Sequence, residues 1–233
     1  MSTREGGVSA APFDSLNLGR SVGDTPDAVA ENRRRFETAI GAPPVYLSQV
    51  HGTRVLRLPA DEGPHEADAS FTTEPGVACT VMVADCMPVL FAAPQASGVA
   101  AAHAGWRGLA GGVLEATVTA LCDASNCQPR ELSAWLGPCI GPRQFEVGAD
   151  VLAAFGPSAS PRFVSRGPGH AGADGSPRWL ADLPALARDR LRAMGVERVS
   201  GGRWCTVEER SRFFSFRRDR VTGRMAAAVW IRG

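Results

Sequence analysis

The sequence predicts a single α+β (α/β) domain with mixed sheets, and two observations carry that reading. Short apolar runs of strand length alternate with segments of helical period along the whole chain. The 233 residues and 24.5 kDa suit one large domain, and no internal repeat or interdomain linker interrupts them. A globule of this mass buries about 70% of the surface its extended chain exposes, so disulfide staples are unnecessary.

Taken in order, Thr25 as N-cap and Pro26 at the first helical position open a helix that carries Val29, Arg33, Phe36 and Ile40 and ends at Gly41. Val45 to Val50 and Thr53 to Leu58 read as strands joined by His51-Gly52, the length of a tight hairpin connection. Val77 to Val83, Val89 to Ala93 and Gly98 to Ala102 read as buried strands, with Asp85 and Cys86 at the break between the first two. After His103, the run Ala104-Gly105-Trp106-Arg107-Gly108 leads into one helix carrying Leu109, Val113, Ala116 and Ala120 on a face. Ser133 to Leu136 and Gln144 to Val147 are short strands, and Ala149 to Phe155 a short helix. Gly156 to Pro177, rich in Gly, Pro and Ser, reads as a long exposed loop. A helix over Leu183 to Met194 then precedes strands at Val196 to Ser200, Phe213 to Phe216 and Met225 to Ile231.

Composition excludes several classes. The 25 basic residues are all arginine, so chemistry that needs a lysine amine is out: Schiff bases, pyridoxal phosphate, the Walker-A loop and the protein-kinase lysine. A formal charge of +1 gives no net field toward nucleic acid or an anionic membrane, so any anion site must be local. Met1 to Arg20 has no apolar core of signal-peptide kind, and the apolar stretch Val77 to Ala93, broken by Asp85 and Pro88, falls short of a membrane span. A cytoplasmic location is expected. The six cysteines lack a CxxC pair and fit free thiols in a reducing compartment.

With four histidines in the chain, each one counts. His51 and His103 sit beside glycine at strand ends or loops, and Cys86 lies between buried strands. Two imidazoles and a thiolate suit Zn²⁺ with an open fourth position. Their long separations match no short zinc motif, however, and spacing alone favours a core cysteine and two unrelated histidines. Arg107 lies in a glycine-flanked loop that opens a helix, where free N–H groups and the helix dipole attract an anion; a plain packing turn fits the pattern equally well. Gly111-Gly112 is tolerable there if something must approach the backbone closely. The run Arg33-Arg34-Arg35 and the pair Arg217-Arg218 read as solvated faces or as phosphate contacts, with Arg33 the strongest candidate because it shares a helix face with Phe36.

Together the segments Ser15-Leu16-Asn17-Leu18-Gly19, Glu31-Asn32-Arg33, Ser48-Gln49-Val50-His51-Gly52, Ala67-Asp68-Ala69, Ala84-Asp85-Cys86-Met87-Pro88, His103-Ala104-Gly105-Trp106-Arg107-Gly108, Leu136-Gly137-Pro138, Phe145-Glu146-Val147-Gly148 and Phe214-Ser215-Phe216-Arg217-Arg218 resemble the laccase-domain, or polyphenol-oxidase-like, family. The match runs in family order from about residue 13 to 231. The resemblance implies a four-layer α/β/β/α sandwich and a zinc site made by His51, Cys86 and His103. It also implies phosphate-dependent cleavage of adenosine, inosine and methylthioadenosine to free base and pentose 1-phosphate, with deamination of adenosine. On that basis a purine nucleoside and inorganic phosphate are the expected partners, with Arg107 and Arg33 as phosphate contacts. Arg143-Gln144 departs from the family pattern after Ile140-Gly141-Pro142, which bears only on a peripheral thiol.

Three rival readings fit the same residues. The older oxidase name implies copper, which can enter a zinc site, but four histidines cannot supply a multicopper centre. A metal-free hydrolase would use Cys86 as nucleophile with His103 or His51 as base, acting on an amide of a cell-wall precursor. A binding module has no need of a thiolate ligand and an open metal position.

Overall fold

The structure is a computed structural model and describes residues 1–60, 65–172 and 174–233. Helix α1 (Pro26–Ile40) is followed by β1 (Pro44–Tyr46), β2 (Val55–Arg57), β3 (Ala69–Thr72), β4 (Ala78–Val83), β5 (Met87–Ala92) and β6 (Val99–Ala104). Then come α2 (Trp106–Gly111), α3 (Val113–Ser125), β7 (Ser133–Leu136), β8 (Glu146–Val147), α4 (Ala149–Phe155), β9 (Phe163–Ser165), β10 (Trp179–Ala181) and α5 (Leu183–Ala193). The chain closes with β11 (Arg198–Gly201), α6 (Phe216–Asp219) and β12 (Met225–Val229).

Two mixed sheets form the centre. One has the order β1-β4-β12 and the other β11-β7-β5-β6-β3-β2, each with parallel and antiparallel neighbours. Strand alternation explains the layering. In β4 and β12, Ala78, Ala226 and Ala228 face Phe36 of α1, while Cys79, Val81 and Ala227 face the second sheet. In β6, Val99 and Ala101 meet that inner layer, and Ala100, Ala102 and Ala104 turn to Val113, Leu114 and Val118 of α3. Strands buried on both faces read as continuous apolar runs, which is how β4 to β6 appear in the sequence. The result is helix, sheet, sheet, helix, as the resemblance implies. A small antiparallel sheet, β8-β10-β9, packs beside it.

The alternation also places a candidate site residue. His103 shares the odd-numbered face of β6 with Val99 and Ala101, at the end of the strand and between the sheets. At the same end the chain leaves β4 in one sheet, passes Ala84-Asp85-Cys86, and enters β5 in the other, where Pro88 pairs with His103.

Four sequence expectations are corrected. β1 and β2 do not form a hairpin but lie in different sheets, because the backbone between them wraps the Asp68 carboxylate instead of pairing across a turn. The helix after Gly105 is broken: Gly112 adopts φ +101°, and the re-phased α3 buries Val113, Leu114, Thr117, Val118 and Leu121, leaving Ala116 and Ala120 half-buried. Within Gly156 to Pro177 the chain forms a 3-10 turn and strand β9, so that segment is part of the small sheet. Phe213 to Phe216 is not a strand: Phe213 and Phe214 are buried loop residues, and Phe216 starts α6, capped by Ser215, whose Oγ accepts from Arg218 N at 3.2 Å.

Candidate metal centre and its cavity

Asp68 organises the site. It stands just before β3, fully buried, and its carboxylate accepts N–H groups from Val50 at 3.1 Å, His51 at 2.9 Å and Gly52 at 2.7 Å. Three successive amides converging on one anion draw His51 into left-handed backbone, φ +62°. The same carboxylate lies 2.8 Å from His103 Nδ1. A proton on Nδ1 fixes the ring and leaves Nε2 free for a ligand role, the usual arrangement behind metal-binding histidines. One buried acid therefore positions both imidazoles.

Cys86 is fixed from the other side by Asp85, which adopts φ +96°. Its carboxylate accepts the Thr206 hydroxyl and the Arg217 amide, each at 2.6 Å, and its carbonyl accepts the Ile140 amide at 2.9 Å. Glycines let these parts meet. A Cβ on Gly105 would lie 2.8 Å from Cys86 Sγ and 3.0 Å from His51 Cδ2, and one on Gly108 would lie 2.9 Å from the Gly52 carbonyl.

The three sequence candidates thus come together. Donor atoms of His51, Cys86 and His103 lie within 4.8 Å of one another, and Cys86 Sγ is 3.8 Å from His51 Nε2. The two rings meet edge to face, with centroids 4.9 Å apart. A tetrahedral zinc with bonds of about 2.0–2.3 Å needs donors about 3.4–3.7 Å apart, so the residues fit a metal with only a small contraction. His51 is exposed, Cys86 half-buried and His103 buried, which leaves access from the His51 side.

Electrostatics agree with that use. Burial alone would raise the Cys86 thiol, but His103 and His51 outweigh it and bring the thiol down to about 6. Burial would lower His103, but Cys86 and Asp68 hold it up to about 9. By contrast, burial pushes Cys79 up to about 12 and Cys139 well above the usual thiol range. Both of those thiols are buried in the core.

The triad opens into a cavity of about 880 Å³ lined by aromatic residues, including Tyr46, Trp106, Phe145 and Phe216, and by Arg20, Arg33, Arg107, Arg217, Arg220 and Arg224. Arg107 is exposed and its guanidinium stacks on Trp106, 4.5 Å from the ring centroid. Helix α2 has only six residues, too short for a strong N-terminal field. Gly111 and Gly112 serve the helix break and the Thr53 methyl, 3.1 Å from a Cβ on Gly111, and not a ligand's approach.

The arginine runs divide as the sequence left open. Arg34 and Arg35 pair with Glu31 on the solvated face, whereas Arg33 turns inward, lies 3.7 Å over the Tyr46 ring and donates Nε to the Leu18 carbonyl at 2.9 Å. Arg217 lines the cavity, and Arg218 pairs with Asp219. Arg143 makes a surface ion pair with Glu208 at 2.6 Å, outside the cavity lining. Sequence reading missed Asp68, Arg20, Arg220 and Arg224. For Asp68 a signal existed, an acid between two alanines at the start of an apolar run.

Comparison with known proteins agrees with this architecture. Residues 1–232 match the family model described as multi-copper polyphenol oxidoreductase laccase. The chain is 51% identical over 236 residues to the protein named purine nucleoside phosphorylase YfiH of Escherichia coli, covering 99% of this chain and 92% of that one. A purine nucleoside phosphorylase of Pseudomonas aeruginosa is 50% identical, with the same coverage of each chain. A solved Neisseria meningitidis structure superposes with a TM-score of 0.91 at 49% identity, covering 99% of this chain and 92% of that one. YlmD of Geobacillus stearothermophilus gives 0.90 at 34%, covering 99% and 90%. The chain belongs to the laccase-like YfiH family of mixed α/β proteins, some of whose members are named purine nucleoside phosphorylases.

Proposed function

We infer that the protein is a zinc-supported purine nucleoside phosphorylase, acting on adenosine, inosine and methylthioadenosine and deaminating adenosine as a side activity. The observation that carries this reading is the juxtaposition of a His51–Cys86–His103 donor set with Arg107 in one aromatic, arginine-lined cavity. The relatives' names support the same reaction class. A divalent metal held by those three residues supplies Lewis-acid charge and, for deamination, activation of water.

The protein's own residues do the rest. Arg107 holds inorganic phosphate beside the anomeric carbon, converting a bimolecular encounter into a positioned one. A phosphate oxygen bonds to that carbon as the glycosidic C–N bond breaks, and the departing base takes the proton that the attacking hydrogen phosphate gives up. Phe216, 47% exposed, offers a ring face to the purine. Asp68 keeps His103 Nε2 aimed at the site through the Nδ1 hydrogen bond. Arg107→Ala removes a charge-assisted contact and raises the phosphate KM about 10- to 100-fold while leaving deamination unchanged. Equal loss of both activities overturns this division of labour.

One observation favours a second reading. A thiol near 6 beside two imidazoles is also the makeup of a cysteine nucleophile in an amide hydrolase. Such an enzyme resists chelators, whereas the phosphorylase loses activity with its metal. Copper in the same donor set, as a polyphenol oxidase would require, is tested by elemental analysis of the purified protein.

A further inference from the structure

The cavity holds more positive charge than inorganic phosphate needs. Six arginines line it, and among the described residues none of the six is in an ion pair. Among the described residues the only acid in the lining is Asp85, whose carboxylate is taken by Thr206 and the Arg217 amide. In a second depression Arg4 and Arg210 pair with Asp14 and Asp219. Arg33, Arg217 and Arg224 are half-buried without an ion-pair partner among the described residues, so an anion entering the cavity supplies counter-charge to them. One inorganic phosphate brings a charge of at most about −2, which Arg107 and one neighbour satisfy.

Three of the arginines gather on one backbone segment. Arg33 donates to the Leu18 carbonyl at 2.9 Å. The stem of Arg224 lies against Gly19, where a Cβ would sit 2.7 Å from Arg224 Cγ. Arg20 follows directly in the chain, and its charge reaches Arg33. Asn17 Oδ1 fixes this wall by accepting the Gly19 and Arg224 amides, each at 2.9 Å. Burial lowers the pKa of both Arg33 and Arg224, so each gains from an anion brought to it. Arg107 belongs to a different element, α2.

We propose that Arg20, Arg33 and Arg224 form a second anion subsite, which takes a phosphate or diphosphate group carried by the nucleoside-containing ligand itself. Inorganic phosphate keeps its place at Arg107, so the cavity binds nucleotides more tightly than nucleosides. The proposal rests on the phosphorylase reading only for that assignment of Arg107, and a binding measurement stands whether or not turnover is seen.

The test is isothermal titration of the metal-loaded protein, without phosphate in the buffer, with adenosine, adenosine 5′-monophosphate and adenosine 5′-diphosphate. Affinity rises in that order, by about tenfold or more per phosphate, as expected of charge-assisted hydrogen bonds. Arg20→Ala/Arg224→Ala brings the diphosphate to within about threefold of adenosine and leaves adenosine unchanged, a difference of under about 0.7 kcal/mol. Arg20→Ala alone, at an exposed position, weakens the diphosphate selectively and guards against misfolding of the double variant. Adenosine and its diphosphate binding equally to the unaltered protein, or the tightening surviving in both variants, overturns the subsite. Pyrophosphate binding as tightly as the diphosphate, without displacing adenosine, assigns the wall to a free anion and overturns the substrate-borne group. Failure of phosphorolysis with the affinity order intact counts against the phosphorylase reading alone.

Discussion

Asp68→Asn is the substitution with the most to say about the site. The carboxylate accepts at both oxygens: Oδ1 from the His51 amide and His103 Nδ1, Oδ2 from the Val50 and Gly52 amides. An asparagine keeps one acceptor and turns the other into a donor, so in either orientation two hydrogen bonds are lost and replaced by facing N–H groups. At about 1.5–3 kcal/mol for each bond to a charged group, the loss is about 3–6 kcal/mol of stability. The burial of Asp68 puts the value in the upper part of that range. Because the amides of residues 50–52 hold His51 and the Nδ1 bond holds His103, two of the three donors lose their orientation together. Metal affinity falls at least about 10- to 100-fold, the usual cost of losing one outer partner. Urea denaturation of the metal-free protein gives the first quantity, and competition against a chelator of known affinity gives the second. An Asp68→Asn protein with an unshifted urea midpoint and unchanged metal affinity refutes the role assigned to this residue.

Other expectations follow from the same geometry. Gly105→Ala places a methyl group 2.8 Å from Cys86 Sγ and so weakens metal binding about tenfold or more while the far-UV circular dichroism stays native, checked by the same competition assay. Iodoacetamide at pH 7 modifies Cys86, lowered to about 6, before Cys79 and Cys122, both raised to about 12, and metal protects it; peptide mapping reads the order. For the metal-free protein the sign of the pH dependence is fixed on both flanks. His103, raised from 6.5 to about 9, contributes stability that is full below 6.5 and lost as pH rises through about 9. Cys86, lowered from 9.0 to about 6, contributes stability that is full above 9.0 and lost as pH falls through about 6. Urea midpoints therefore fall on both sides of that window, and Cys86→Ser flattens the profile; an unchanged profile in the variant contradicts the pairing.

Much of this was legible in the chain. β4, β5 and β6 announce themselves as apolar runs because both faces are covered, and α1 is delimited by Pro26 and by Gly41 at φ +73°. His51, Cys86, His103 and Arg107 stand out because they are chemically rare or glycine-flanked. What spacing could not show is convergence: the triad forms where the chain crosses from one sheet to the other and where a buried aspartate gathers three amides, both tertiary events. For the same reason His51-Gly52 looks like a hairpin turn, since a tight turn and a loop wrapped on a carboxylate share length and glycine. Phe213 and Phe214 look like a strand because burial, not pairing, selected them. Arg20 and Arg224 sit in ordinary polar contexts in the sequence, and only the fold brings Arg224 against Gly19, beside Arg20, in the cavity wall.

The most direct test of the functional account is chromatography of the products formed from adenosine by the zinc-loaded protein, with and without inorganic phosphate. The account predicts adenine together with pentose 1-phosphate only when phosphate is present, and the loss of both in Cys86→Ser. Adenosine recovered intact under both conditions, or base released equally without phosphate, contradicts it.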